Sequence, residues 1–140
     1  DIPRLLAALD PVGGPPADVV VGSRRVPGGR TVGWPLARHL TSRLVAGFTR
    51  RVLGVPVRDP SSGYRAIRLA MLGRIGQPTT SGYAFHEEFL WRVHRAGGRI
   101  VEVPMTFRDR TRGTSKAGLR EIASAFCDLL GLARKTWCER

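Results

Sequence analysis

The sequence predicts an α/β domain built on a mixed sheet, and three observations carry that expectation. Short apolar runs suited to buried strands stand at residues 18–22 and 100–103. Helical patterns, with apolar residues three or four apart, lie between and after them. Turns rich in glycine and proline separate the two kinds of segment. Helices alternating with short strands are the mark of this class. A chain of 140 residues is long enough for one such domain with a real core.

In chain order, residues 2–9 suit a short helix entered through Pro3, and residues 11–16 form a Gly/Pro turn. The strand at 18–22 has Ser23 and Arg24 at its carboxyl end, where open α/β sheets place ligand groups. Residues 26–33, with Pro27, Gly28, Gly29 and Gly33, are expected to be an irregular, mobile loop. From 35 to 53 the pattern is helical, with Leu36, Leu40, Leu44, Phe48 and Val52 at near-fourfold spacing. Residues 55–59 are extended, 60–64 turn, and a brief helix is expected near 67–72. A loop covers 73–82. The next helix runs over about 85–96 and ends at Gly97-Gly98. The strand at 100–103 leads into a basic loop, and an amphipathic helix of about 117–137 closes the chain. Its apolar side is expected to be Leu119, Ile122, Ala123, Phe126, Leu129, Leu130 and Ala133.

Charge is the other strong signal. The chain has 23 Lys and Arg against 11 Asp and Glu, a formal net charge of +12. That imbalance suits an anionic partner: nucleic acid, an acidic membrane surface or a phosphorylated substrate. Basic residues do not alternate with aromatics and no recognition motif accompanies them, so nucleic acid is disfavoured. His39, His86 and His94 lack metal-ligand spacing, and no metal site is expected within the chain. Cys127 and Cys138 lie roughly 16 Å apart along a continuous helix, too far to bridge. No apolar run is long enough to span a membrane. Arg120, Arg134, Lys135 and Trp137 of the last helix suit a peripheral contact with acidic headgroups, or ordinary surface charge.

Several residues are candidates for chemistry. For Arg24 two readings are open: capture of an anion, or a salt bridge that holds the following loop. Arg38 and Ser42 stand one helical turn apart and suit different oxygens of one phosphate. In 59–65, Asp59, Ser62, Gly63 and Arg65 suit a tight turn stapled by an Asp59–Arg65 pair, with Gly63 at positive φ. Glu87 and Glu88 are adjacent, so one is expected to turn inward and the other to be solvated. Gly82 and Tyr83 present that helix to a cleft. His86 is expected at the surface or supporting the site from behind, rather than acting as a base. The loop at 108–116 gathers Arg108, Arg110, Arg112 and Lys116 around Gly113, Thr114 and Ser115. It is either a phosphate cradle or a solvated basic loop.

Taken in order, these segments resemble the latter part of the family 2 glycosyltransferases that make dolichyl- or polyprenyl-phosphate mannose. The segments are Val-Val-Gly-Ser-Arg at 20–24 with Pro27-Gly28-Gly29, Arg38 with Ser42, and Asp59 to Arg65. Gly82-Tyr83-Ala84-Phe85 leading to Glu88 follows, and then Pro104 and Phe107 to Lys116. Ser61 and Tyr64 replace that family's threonine and phenylalanine.

The resemblance implies the latter part of a GT-A-type, nucleotide-diphospho-sugar transferase fold whose nucleotide-binding half is absent. Residues 1–140 would then be a partial domain, a fragment or one part of a split protein, inactive alone. The implied reaction is inverting transfer of mannose from GDP-mannose to a polyprenyl or dolichyl phosphate at the cytoplasmic face of a membrane. Arg24, Arg38 and Ser42 would hold the acceptor phosphate. Arg110 and Lys116 would offset charge on the leaving diphosphate, and Mg²⁺ or Mn²⁺ would be held mainly by residues outside the chain. Asp59, Ser62, Gly63, Arg65, Tyr83, Glu88, Gly113 and Ser115 would line the cleft or support it. A separate N-terminal half or membrane subunit is a further implied partner. Transfer of another hexose, or a catalytically dead lipid-phosphate or membrane-surface binding module, fits the same residues.

Overall fold

A computed structural model describes residues 2–82, 84–109 and 119–138. The architecture is α/β with a mixed sheet. In order the elements are α1 (Ile2–Leu9), β1 (Val19–Ser23), β2 (Arg30–Val32), α2 (Leu36–Arg51) and β3 (Arg65–Ile67). They continue with α3 (Leu69–Ile75), α4 (Ala84–Arg95), β4 (Ile100–Pro104), β5 (Thr106–Arg108) and α5 (Leu119–Cys138). β1 is central in a three-stranded sheet, antiparallel to β3 and parallel to β4. β2 and β5 form a separate parallel pair.

The period-2 geometry of β1 builds the core on both sides. Val19 and Val21 join a cluster with Leu53, Val55, Met71, Leu90 and Leu132. Val20 points the other way and packs with Leu5 and Ala17. Burial on both faces explains why the strand is a continuous apolar run rather than an alternating one. Arg68 ties α1 to this sheet, donating to the carbonyls of Ala17 at 2.7 Å and Leu9 at 2.9 Å, and pairing with Asp10. α4 ends as the glycines predict. Gly97 takes φ 72°, and Gly98 N–H returns to the Val93 carbonyl at 2.8 Å.

Three expectations about elements change. The glycine-rich stretch contains a strand, because Arg30–Val32 pairs with Thr106–Arg108. Ile67 ends a strand, Arg65–Ile67, rather than starting the brief helix, which runs over Leu69–Ile75. α2 forms where its spacing predicts; that spacing leaves open which way the leucines face, and they turn outward: Leu36, Leu40 and Leu44 are 75%, 53% and 74% exposed, whereas Ala46 and Thr49 are buried. In α5 the buried side is Leu129, Leu132, Ala133 and Thr136, while Phe126 and Leu130 are exposed. Trp91 anchors α4 to α5 through Nε1, which donates to Thr136 Oγ1 at 3.0 Å.

Candidate functional site

The site forms where β1 ends. Residues 53–59 are not a strand, yet Leu53, Val55 and Val57 are buried and pull this segment against the sheet. Glu102 of β4 fixes its end, accepting from the backbone N–H groups of Arg58 at 2.8 Å and Asp59 at 3.0 Å. Asp59 is thereby delivered, fully buried, to the carboxyl end of β1.

There it meets Arg24. Asp59 Oδ2 accepts from the Arg24 backbone N–H at 2.8 Å and from Nε at 2.6 Å, and Oδ1 accepts from Nη2 at 2.5 Å. Nη2 also donates to Ser61 Oγ at 3.0 Å. Of the two readings of Arg24, the salt bridge is therefore realised. The expected Asp59–Arg65 staple is not. Arg65 instead donates to the carbonyls of Ser62 at 2.6 Å, Pro60 at 2.5 Å and His86 at 3.2 Å. The fork of Asp59 is already filled by Arg24, so three carbonyls take its place. Ser62 Oγ donates to the Gly22 carbonyl at 2.6 Å. Gly63 does not take a positive φ; its value to the turn is space, since a Cβ would lie 3.3 Å from His86 Cε1.

Arg24 and Arg38 lean on one indole. Their guanidinium carbons lie 4.5 Å and 4.2 Å from the Trp34 ring centre, a cation–π distance. Arg38 Nη1 also donates to both carboxylate oxygens of Asp109 at 3.0 Å. Ser42 does not join Arg38; its Oγ accepts from Arg25 Nη2 at 2.8 Å. The expected Arg38–Ser42 phosphate pair is thus divided. Helical spacing put the two on one face, but Asp109 draws the long arginine side chain one way and Arg25 fills the other.

Arg24, Arg25, Arg30, Trp34, His39 and Arg43 line a pocket of about 420 Å³ that contains no carboxylate. Trp34 Nε1 is buried beside it without a hydrogen-bond partner among the described residues. Burial lowers the Arg25 pKa, but Asp59 opposes the change and the group stays a cation. Arg25, Arg30, Trp34, His39 and Arg43 were not singled out for this role in the sequence. The available signal was adjacency: Arg25 follows Arg24, and Arg43 follows Ser42. Chemically, the pocket offers forked N–H donors and positive charge to a phosphate-sized anion.

The two glutamates of α4 are both buried, at 2% exposure for Glu87 and 0% for Glu88, so neither is solvated. Glu88 holds the preceding loop. It accepts from Thr79 N–H at 3.0 Å, Thr80 N–H at 2.7 Å and Arg92 Nε at 2.7 Å. Burial opposes its charge, yet these donors prevail and hold its pKa down at about 2. Glu87 has the reverse outcome: burial pushes its pKa up to about 7, against the pull of its own N–H and of Arg65. His86 is partly buried, and burial with Arg65 and Arg24 lowers it to about 4. Tyr83, Arg110, Gly113, Ser115 and Lys116 lie outside the described residues. Among the described residues no group of three or more His, Cys, Asp or Glu could hold a metal, and no helix is long and apolar enough to cross a membrane.

No protein-family model matches the chain. Curated relatives do, these two among them. An undecaprenyl-phosphate mannosyltransferase of Micrococcus luteus is 43% identical over 117 residues, 82% of this chain and 46% of that protein. A polyprenol monophosphomannose synthase of Mycolicibacterium smegmatis is 38% identical over 127 residues, 89% of this chain and again 46% of the relative. The chain thus spans about half the length of the curated relatives it matches.

Proposed function

Because the chain is a homologue of the polyprenyl-phosphate mannosyltransferases over the stretch that it spans, we propose that it forms the acceptor side of an enzyme transferring mannose to a polyprenyl or dolichyl phosphate. The observation that carries this reading is the carboxylate-free arginine pocket at the end of β1. A phosphate monoester seated there meets Arg25, Arg30 and Arg43, while Asp59 and Trp34 hold Arg24 in place behind them. The acceptor is an anion already, so it needs orientation more than a base. One of its oxygens attacks the anomeric carbon with inversion, as the bond from that carbon to the leaving diphosphate breaks.

The donor in this reading is GDP-mannose, and the fold a GT-A type. Arg110 and Lys116 are proposed to offset charge on the departing GDP. Mg²⁺ or Mn²⁺ belongs to the donor side; the described residues offer no donor set for it, and no step is assigned to it. The exposed leucines of α2, with Phe126, Leu130 and Trp137 of α5, support peripheral contact with the membrane that carries the acceptor, on its cytoplasmic face. The reading is tested by mannosyl transfer in the protein that contains this chain. Arg25→Ala should raise the KM for polyprenyl phosphate about tenfold, the weight of one charge-assisted hydrogen bond. An unchanged KM argues against the pocket as the acceptor site.

A further inference from the structure

A second basic concavity adjoins the first. It encloses about 490 Å³ and is lined by Arg25, Arg43, Gly47, Arg50, Arg51 and Arg58, with no carboxylate in its walls. None of these five arginines makes an ion pair among the described residues. The nearby carboxylates are committed elsewhere: Asp59 to Arg24, and Glu102 to the backbone of Arg58 and Asp59. Gly47 makes room on the helix surface, since a Cβ there would stand 3.3 Å from Arg51 Nη1. Asp59 and Glu102 offset Arg25 from nearby, but five clustered cations with no ion pair of their own still repel one another, a cost that an anion relieves.

The placement of this cluster on α2 indicates the anion's source. Residues 36, 40, 44, 43, 47, 50 and 51 fall on one side of a helix with 3.6 residues per turn. The leading part of that side is the exposed leucine stripe, and the trailing part is cationic. A soluble phosphate has no use for the leucines, whereas a bilayer surface meets both: acyl boundary for Leu36, Leu40 and Leu44, headgroup phosphates for the arginines. Resting on the membrane-side reading above, we propose that this second pocket is a headgroup site for an anionic phospholipid, distinct from the acceptor-phosphate pocket and joined to it through Arg25 and Arg43.

The experiment measures binding of the chain to three kinds of vesicle: phosphatidylcholine alone, with phosphatidylglycerol, and with polyprenyl phosphate. Arg50→Ser/Arg51→Ser alters two exposed side chains that line only the second pocket. It should weaken binding to phosphatidylglycerol vesicles about fivefold per arginine, while keeping the gain that polyprenyl phosphate confers. Wild-type binding that ignores phosphatidylglycerol overturns the proposal, as does a double variant that binds like wild type. A double variant that loses both gains equally also overturns it, because the two pockets then act as one diffuse charge. Release by inorganic pyrophosphate, with Leu40→Ser/Leu44→Ser binding normally, shows a soluble anion to be the occupant and overturns the lipid assignment. If only the polyprenyl phosphate gain is absent, the acceptor reading fails and the headgroup site stands.

Discussion

Arg24 and Arg38 share the Trp34 indole, at 4.5 Å and 4.2 Å from its centre, and each is anchored by its own aspartate. Two like charges are thereby held side by side at the mouth of β1. The Arg24–Asp59 pair is the deeper one, with side chains 9% and 0% exposed; the Arg38–Asp109 pair is 38% and 30% exposed.

Removing Asp59 should be costly. Asp59→Ala leaves Arg24 buried and uncompensated, a loss of about 3–5 kcal/mol. Arg38→Ala breaks a half-exposed pair and should cost about 1 kcal/mol or less. Thermal melts rank the two; equal shifts in Tm contradict the difference in burial.

Gly29 reports on the same corner. A Cβ at Gly29 would lie 2.4 Å from the Ser23 carbonyl oxygen and 2.8 Å from the Arg24 carbonyl carbon, both backbone. Gly29→Ala must therefore push the 26–29 loop off the Arg24 backbone. Stability and polyprenyl phosphate affinity should fall together, whereas Gly13→Ala, where nothing lies within 4 Å but φ is 73°, should strain only its own turn. A Gly29→Ala protein with wild-type affinity disproves the close approach.

His86 and Glu87 should give opposed pH dependences. Glu87 has a folded pKa of about 7 against 4.5, so the folded state holds the extra proton and stability falls as pH rises from 4.5 to 7. His86 has a folded pKa of about 4 against 6.5, so the unfolded state holds the extra proton and stability rises from pH 4 to 6.5. Relative to wild type, Glu87→Gln should gain stability toward pH 7, and His86→Asn should gain it toward pH 4. Melting temperatures across this range check both signs.

Trp91 should matter to the α4–α5 contact beyond its volume. Trp91→Phe removes the donor to Thr136 Oγ1, a bond worth about 1 kcal/mol, but leaves an aromatic in the core. Trp91→Ala should cost about 3–5 kcal/mol. Denaturant midpoints separate these, and equal losses mean that the hydrogen bond carries the contact.

Strand β1, helices α1, α2 and α4 and the Gly97 cap were legible because each is written locally: a valine run, a 3.6-residue period, a glycine at the right place. β2 was not, since three residues between glycines become a strand only when β5 lies alongside. The outward face of α2 was not legible for a related reason: periodicity shows that leucines share a side, not what that side meets. Arg24 and Asp59 were recognisable as candidates. Their pairing was not, because Glu102, far along the chain, decides where Asp59 lies.

The measurement closest to the central claim is the affinity of this chain for a polyprenyl phosphate against the same polyprenol without its phosphate. The account predicts that the phosphate gives a large gain, and that Arg25→Ala/Arg43→Ala removes it by about a hundredfold, two charge-assisted contacts. Equal affinity for the phosphate and the alcohol, or a double variant that binds the phosphate as wild type does, would contradict it.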